Sequence, residues 1–192
     1  MKTIESESVA NVEAKGSKFI AHLVPYHTFE TLLNELREAH PKASHIVTAY
    51  RFLNEGDQIV ESSSDDGEPR GCAGLPILNV LRGNGLVNSA LLIVRYFGGT
   101  KLGTGGMVRA YTLAAKSAIE LASSVEYRKM LALKFKTDYS SVQRIEYFLS
   151  KLGVKEPKRE FLADSVNWEM TIDEETIERF REMSKGYLSI LQ

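Results

Sequence analysis

The 192-residue chain has one cysteine, Cys72, so it can form no internal disulfide and build no thiolate zinc cluster. Its four histidines all precede residue 46, and none forms an H-x-x-x-H or H-E-x-x-H pair, which leaves a zinc site without support. No serine sits in a G-x-S-x-G elbow, which disfavours acyl transfer. The longest hydrophobic run, Leu86 to Val94, is interrupted by Asn88 and Ser89 and is too short to span a bilayer. The opening residues Met1 to Glu7 turn acidic at once and lack an apolar leader core, so no secretory signal is expected. Net charge is also nearly absent, −1 at pH 7, which excludes a globally basic nucleic-acid binder and leaves room for a local basic face. What is present, 43% hydrophobic and 26% charged residues, rules out general disorder, and together with the missing leader and span predicts a soluble, cytoplasmic protein of one or two domains, whose element order reads as α+β.

The charges are segregated along the chain. Glu55, Asp57, Glu61, Asp65, Asp66 and Glu68 follow one another with no base among them. From Pro69 to Ile119 only bases occur, namely Arg70, Arg82, Arg95, Lys101, Arg109 and Lys116. An acidic loop followed by an acid-free stretch points to a charged working face, since solvated faces usually mix the two signs.

Ser8 to Ala14 and Lys18 to Pro25, joined by Lys15-Gly16-Ser17, read as a hairpin. Thr28 is placed to cap a helix reaching about His40, with Phe29, Leu32, Leu33, Leu36 and Ala39 inward. His45 to Leu53 reads as a strand with Ile59-Val60 pairing back, Asp65 to Arg70 as a loop, and Ala73 to Leu81 as a helix that tolerates Pro76 in its first turn. Leu86 to Phe97 reads as a central strand buried on both faces. Gly98-Gly99-Thr100-Lys101-Leu102-Gly103-Thr104-Gly105-Gly106 then leads into a helix from Met107 to about Ala122. A boundary falls within Ser123 to Lys129, which divides the chain into residues 1–126 and 127–192. In the second part, strands near residues 131–135, 155–162 and 166–172, helices capped by Ser140 or Ser141 and by Asp173, and a last strand from Tyr187 to Leu191 give a ferredoxin-like βαββαβ order.

Two constellations carry chemistry. The glycine loop permits positive φ angles and close backbone approach. Its amides, with those of the following helix N-terminus and with Arg95, Lys101 and Arg109, suit an anion such as phosphate. It matches neither G-x-x-x-x-G-K-[ST] nor G-x-G-x-x-G, and glycines serving only a tight strand-to-helix connection are the competing reading. The run Asp65-Asp66-Gly67-Glu68-Pro69 suits a hard cation such as Mg²⁺, or acid–base work, or a solvated turn pairing with the basic stretch. His45 is placed to face Asp65 or Asp66. Cys72, beside Arg70, reads as a small buried residue or as a thiol of lowered pKa.

The strings Asp65-Asp66-Gly67-Glu68-Pro69, Gly71-Cys72-Ala73-Gly74-Leu75-Pro76-Ile77-Leu78 and Val94-Arg95-Tyr96-Phe97-Gly98-Gly99-Thr100-Lys101-Leu102-Gly103-Thr104-Gly105-Gly106-Met107-Val108-Arg109-Ala110-Tyr111, in this order, resemble the IMPACT family over essentially the whole chain. The resemblance implies two α/β sandwich-type domains, the first similar to elongation factor G domain IV and the second ferredoxin-like. It also implies association with translation or nucleic acid. His45 to Arg51 resembles that family's histidine-to-aromatic-basic strand. Cys72 departs from the threonine usual in the family, so no hydroxyl chemistry is assigned there. Eukaryotic members regulate a starvation-responsive kinase and carry an extra N-terminal partner-binding domain, for which this sequence has no counterpart, so that role is not carried over whole.

Three functions follow. The first is a non-enzymatic regulator binding RNA, the ribosome or translation factors through Arg95, Gly98, Gly99, Lys101, Gly103, Gly105, Gly106 and Arg109, with Tyr96 or Phe97 stacking on bases and His45, Arg51 and Arg70 in support. The second is an enzyme or sensor holding a phosphorylated small molecule at the glycine loop and Mg²⁺ at Asp65, Asp66 or Glu68. The third is a protein-interaction module. Nothing in the sequence calls for a cofactor or a membrane.

Overall fold

A computed structural model describes residues 1–187 and the backbone of residues 189–190, and divides the chain into two compact units, Met1–Tyr127 and Arg128–Gln192. The first unit is built on a five-stranded antiparallel sheet. Strands β2 (Ser8–Ala14) and β3 (Ser17–Pro25) form the hairpin, closed by Lys15 and Gly16 at φ 46° and 80°. Two successive positive φ values match the right-handed twist of the strands they join. Strand β4 (His45–Leu53) pairs with β5 (Ile59–Ser64), and β6 (Ser89–Tyr96) lies between β3 and β4, giving the order β2-β3-β6-β4-β5.

Helix α1 (Phe29–Ala39) covers one face of this sheet, over Val24, Ile46, Leu92 and Val94. Helices α2 (Gly74–Gly83) and α3 (Thr104–Leu121) cover the other, over Phe19, Ala21, Leu23, Val47, Ala49, Leu91 and Ile93. β6 is accordingly buried from Ser89 to Arg95, as its unbroken apolar run predicts. Two short strands without sequence periodicity, β1 (Lys2–Ile4) and β7 (Ser124–Glu126), pair with each other and fasten the N-terminus to the chain leaving α3.

Three local expectations are corrected. Thr28 makes no cap, because its hydroxyl donates back to the Pro25 carbonyl at 2.8 Å. α3 starts at Thr104 rather than Met107, so Gly105 and Gly106 lie in its first turn and not in the loop. In the second unit Asp138, not Ser140 or Ser141, accepts from the Ser141 amide at 2.9 Å and sets the turn leading into α4 (Val142–Lys151).

The second unit continues from β8 (Met130–Asp138) through α4 to β9 (Lys158–Phe161), β10 (Ser165–Asp173), α5 (Glu174–Met183) and β11 (Ser189–Ile190). All neighbouring strands are antiparallel in the order β11-β8-β10-β9, which is the ferredoxin-like arrangement. Asp173 caps α5 by accepting from the Thr176 amide at 3.0 Å. Phe135, Trp168 and Phe180 centre its core. Of the last expected strand, Leu188 and Leu191 lie outside the described residues.

Candidate functional site

Register brings both constellations to one end of the first sheet. His45 starts β4 opposite Arg95, near the end of β6, and Ser64 ends β5. From these strand ends the chain enters the acidic loop and then α2, and the glycine loop and then α3. The β2–β3 turn lies there too. A Cβ on Gly98 would sit 1.9 Å from the Gly16 carbonyl carbon, so that contact requires glycine. Gly98 therefore fits the close-packing reading, and its amide donates to Ser17 Oγ at 3.2 Å.

The acidic loop turns inward. Asp66 and Gly67 adopt φ 47° and 87°, and the Glu68 amide closes the turn on the Asp65 carbonyl at 2.9 Å. The Asp65 carboxylate accepts from the amides of Gly71, Ala73 and Gly74 at 2.8, 3.1 and 2.8 Å, at the start of α2. Burial works to raise the Asp65 carboxyl, but these amides and nearby Arg70 outweigh it and hold it below the ordinary carboxylate range. Asp66 Oδ2 accepts from the Ile46 amide at 2.6 Å, and the Asp66 carbonyl lies 2.7 Å from His45 Nδ1. A carbonyl only accepts, so His45 Nδ1 carries the hydrogen.

Glu68 is almost fully buried. Its Oε1 accepts from Arg95 Nη1 and from the Tyr111 hydroxyl at 2.7 Å. Its Oε2 lies 3.8 Å from His45 Nε2. Burial first, and then the Glu68 carboxylate, push the Tyr111 phenol far above its ordinary range, so Tyr111 remains a donor. Among the described residues no group of three or more His, Cys, Asp or Glu side chains is arranged to hold a metal ion. Backbone amides bond both oxygens of Asp65 and one of Asp66, and Arg95 and Tyr111 bond one oxygen of Glu68.

The same contacts re-sort the bases. Arg95 is only 5% exposed and bound to Glu68, so the expected phosphate contact at this position is corrected to a buried ion pair. Arg82 binds Glu61, as does Arg51, whose Nε lies 2.9 Å from it. Arg51 is opposite Ser89, at the far end of β4 from His45, so the structure does not bring it to the site. Arg70, Lys101, Arg109 and Lys116 are exposed. Among the described residues Lys101, Arg109 and Lys116 make no ion pair.

The glycine loop turns outward. Gly99 and Gly103 hold φ 85° and 71°, and a Cβ on either would meet nothing within 4 Å. After that of Gly98, the first amide here with an internal acceptor is that of Met107, bonded to the Gly103 carbonyl at 2.9 Å. Among the described residues no protein group accepts from the amides of Gly99 to Gly106, and three of them form the first turn of α3, where the helix dipole favours anions. Phe97 projects beside the loop, 51% exposed, while Tyr96 is held inward by His40 Nδ1 at 2.7 Å. Cys72 is buried in the core beneath α2 and α3.

The open face of the second unit contrasts with this end. Lys134 and Lys158 pair with Glu169 at 2.9 and 3.7 Å, and Lys136 with Asp164 at 3.9 Å. Its central strands β8 and β10 turn their aromatic residues, Phe135 and Trp168, into the core, so among the described residues these two strands carry no stacking platform of the kind ferredoxin-like RNA readers use.

The family model of the Impact N-terminal domain matches residues 15–119. An IMPACT family member of Haemophilus influenzae is 33% identical, over 97% of this chain and 93% of its own length. The IMPACT family member YvyE of Bacillus subtilis is 31% identical over 94% of this chain and 83% of its own. A crystal structure of a hypothetical protein superposes with a TM-score of 0.69 at 27% identity, covering 99% of this chain and 95% of that one. Among the described residues no helix is long and apolar enough to cross a membrane.

Proposed function

The chain belongs to the IMPACT family, and we propose that it is a non-enzymatic, translation-associated regulator that binds RNA or the ribosome with the loop end of its first unit. One observation carries this reading. The acids of that end are bonded internally, whereas Lys101, Arg109 and the amides from Gly99 to Gly106 are left open. The cations supply sequence-independent attraction to phosphates, and the oriented amides fix the register of the backbone. Phe97 is positioned to stack on a base, and Arg70 adds charge beside the acidic loop. Gly98 supports the loop by its packing against Gly16, and His45 supports it by holding the Asp66 carbonyl.

Open amides would suit a phosphorylated metabolite equally well, so the test includes one. Labelled single-stranded and structured RNAs are titrated with the purified chain at low and near-physiological salt, beside the Lys101→Ala/Arg109→Ala variant. Thermal melts with nucleotides and sugar phosphates run in parallel. Salt-sensitive RNA binding lost in the variant supports the proposal. Absence of RNA binding even at low salt rejects it, and a metabolite-dependent rise in melting temperature would transfer the loop to a small-molecule ligand.

A further inference from the structure

We propose that the groove between α2 and α3, which begins beside the loop end and runs toward the opposite edge of the sheet, is a docking site for an acidic amphipathic helix of a partner protein. The groove has a volume of about 680 Å³ and is framed by two ladders, Leu75, Asn79 and Gly83 on α2 and Val108, Thr112 and Lys116 on α3. Within each ladder the residues are four apart, and four residues advance about 6 Å along a helix, so each ladder keeps to one side of its helix.

The two helices run in the same direction. A Cβ on Gly74, the first residue of α2, would lie 2.9 Å from the Ser64 backbone, and α3 follows the end of β6 at this same edge. α3 finishes where Ser8 Oγ donates to the Ala118 carbonyl, at the opposite edge. Leu75 and Val108 therefore share one end of the groove, and Lys116 stands about two turns away beside Gly83.

The helix layer's inner face fills the core, yet Leu75 is 46% exposed and Val108 37%, with Leu113 on the neighbouring stripe 53% exposed. Apolar side chains grouped at a concave surface mark a contact for another molecule. Among the described residues Lys116 is the one charged residue lining the groove, and Arg109 adjoins Val108; neither makes an ion pair, and the acid nearest on this stripe, Glu120, lies one turn beyond Lys116. A groove between two helices receives a third helix by its apolar stripe. The complementary segment carries apolar residues at i and i+3 or i+4 to meet Leu75 and Val108, and Asp or Glu about one to two turns further on to meet Lys116.

A randomised peptide display library panned against the full chain tests this. Enriched sequences should share that apolar–acidic pattern, and a synthetic peptide of the enriched sequence should lose at least about tenfold in affinity when Val108→Asp or Lys116→Glu is introduced. Leu75→Ser is the milder second variant, and circular dichroism establishes that all three fold. Lys101→Ala should leave the peptide bound, and the groove variants should still bind RNA, so failure here is distinguishable from failure of the loop reading. An unenriched library, enrichment without acidic residues, or a peptide indifferent to both groove substitutions would overturn the proposal. Loss of RNA binding in the groove variants with no peptide enriched would assign the face to nucleic acid and overturn it too.

Discussion

The acidic loop and the glycine loop leave the same end of one sheet, and they dispose of their polar groups in opposite ways. The loop from Asp65 to Glu68 closes on itself: its carboxylates hold the start of α2, the start of β4 and the buried guanidinium of Arg95. The loop from Gly98 to Gly103 opens to solvent, apart from the packing of Gly98 on Gly16, and hands α3 a first turn of unbonded amides. The difference teaches that segregated charge in a sequence does not translate directly into a bipolar surface. The acids are consumed as structure, and the surface keeps the bases they do not neutralise.

The sharpest way to break this contrast is at Glu68. Glu68→Ala leaves Arg95 buried without its counter-charge and is expected to destabilise the first unit by about 3–5 kcal/mol in urea unfolding. The double change Glu68→Leu with Arg95→Met should recover much of that loss. A single-variant effect below about 1 kcal/mol would show that the buried pair is not structural. Gly98→Ala comes next. Its Cβ would overlap the Gly16 backbone, so the two turns must separate, at an expected loss of about 1–3 kcal/mol by thermal or urea unfolding.

Asp65→Ala removes the acceptor for three amides at the start of α2, and an N-cap loss of about 0.5–2 kcal/mol is expected at neutral pH. The pH dependence has a defined sign. The Asp65 carboxyl is depressed in the folded state, so its contribution is present above the unfolded value of about 3.9 and is lost as pH falls through the lower folded value. The stability gap between the natural chain and Asp65→Asn should therefore narrow below about pH 4. The smallest effect on folding belongs to Lys101→Ala/Arg109→Ala, whose melting should match the unaltered chain while its RNA affinity falls.

Much of the fold was legible. The β2–β3 hairpin follows from two strand-like runs around Lys15-Gly16, the whole of β4 from its β-branched and aromatic residues, and β10 from the alternation of Val166, Trp168, Met170 and Ile172, and the C-terminal strand order is the ferredoxin-like one. β1 and β7 were not, because three-residue strands are too short to show a period. The cap at Asp138 was hidden by two adjacent serines, since the choice between neighbouring acceptors depends on backbone geometry and not on residue type.

The site was legible as a place but not as a set of roles. Both loops stood out by composition, yet Arg95 reads as one more base in a basic stretch. β6 is buried on both faces, so alternation gives no hint of where Arg95 points. The available signal was different: a lone charge inside a continuous apolar strand needs a buried partner of opposite sign, and of the two flanking acids, Glu68 and Glu120, the structure supplies Glu68. Nothing in the sequence distinguishes Gly98, which packs, from Gly99 and Gly103, which open the turn.

The central claim is that the outward loop, and not total charge, binds RNA. Its most direct test is the slope of log affinity against log salt for a single-stranded RNA, measured for the natural chain and for Lys101→Ala/Arg109→Ala. Each phosphate contact contributes about 0.7 to that slope for single strands. The account predicts a slope shallower by about 1.4 in the double variant. An unchanged slope with unchanged affinity would contradict it, and would place any RNA contact elsewhere on the chain.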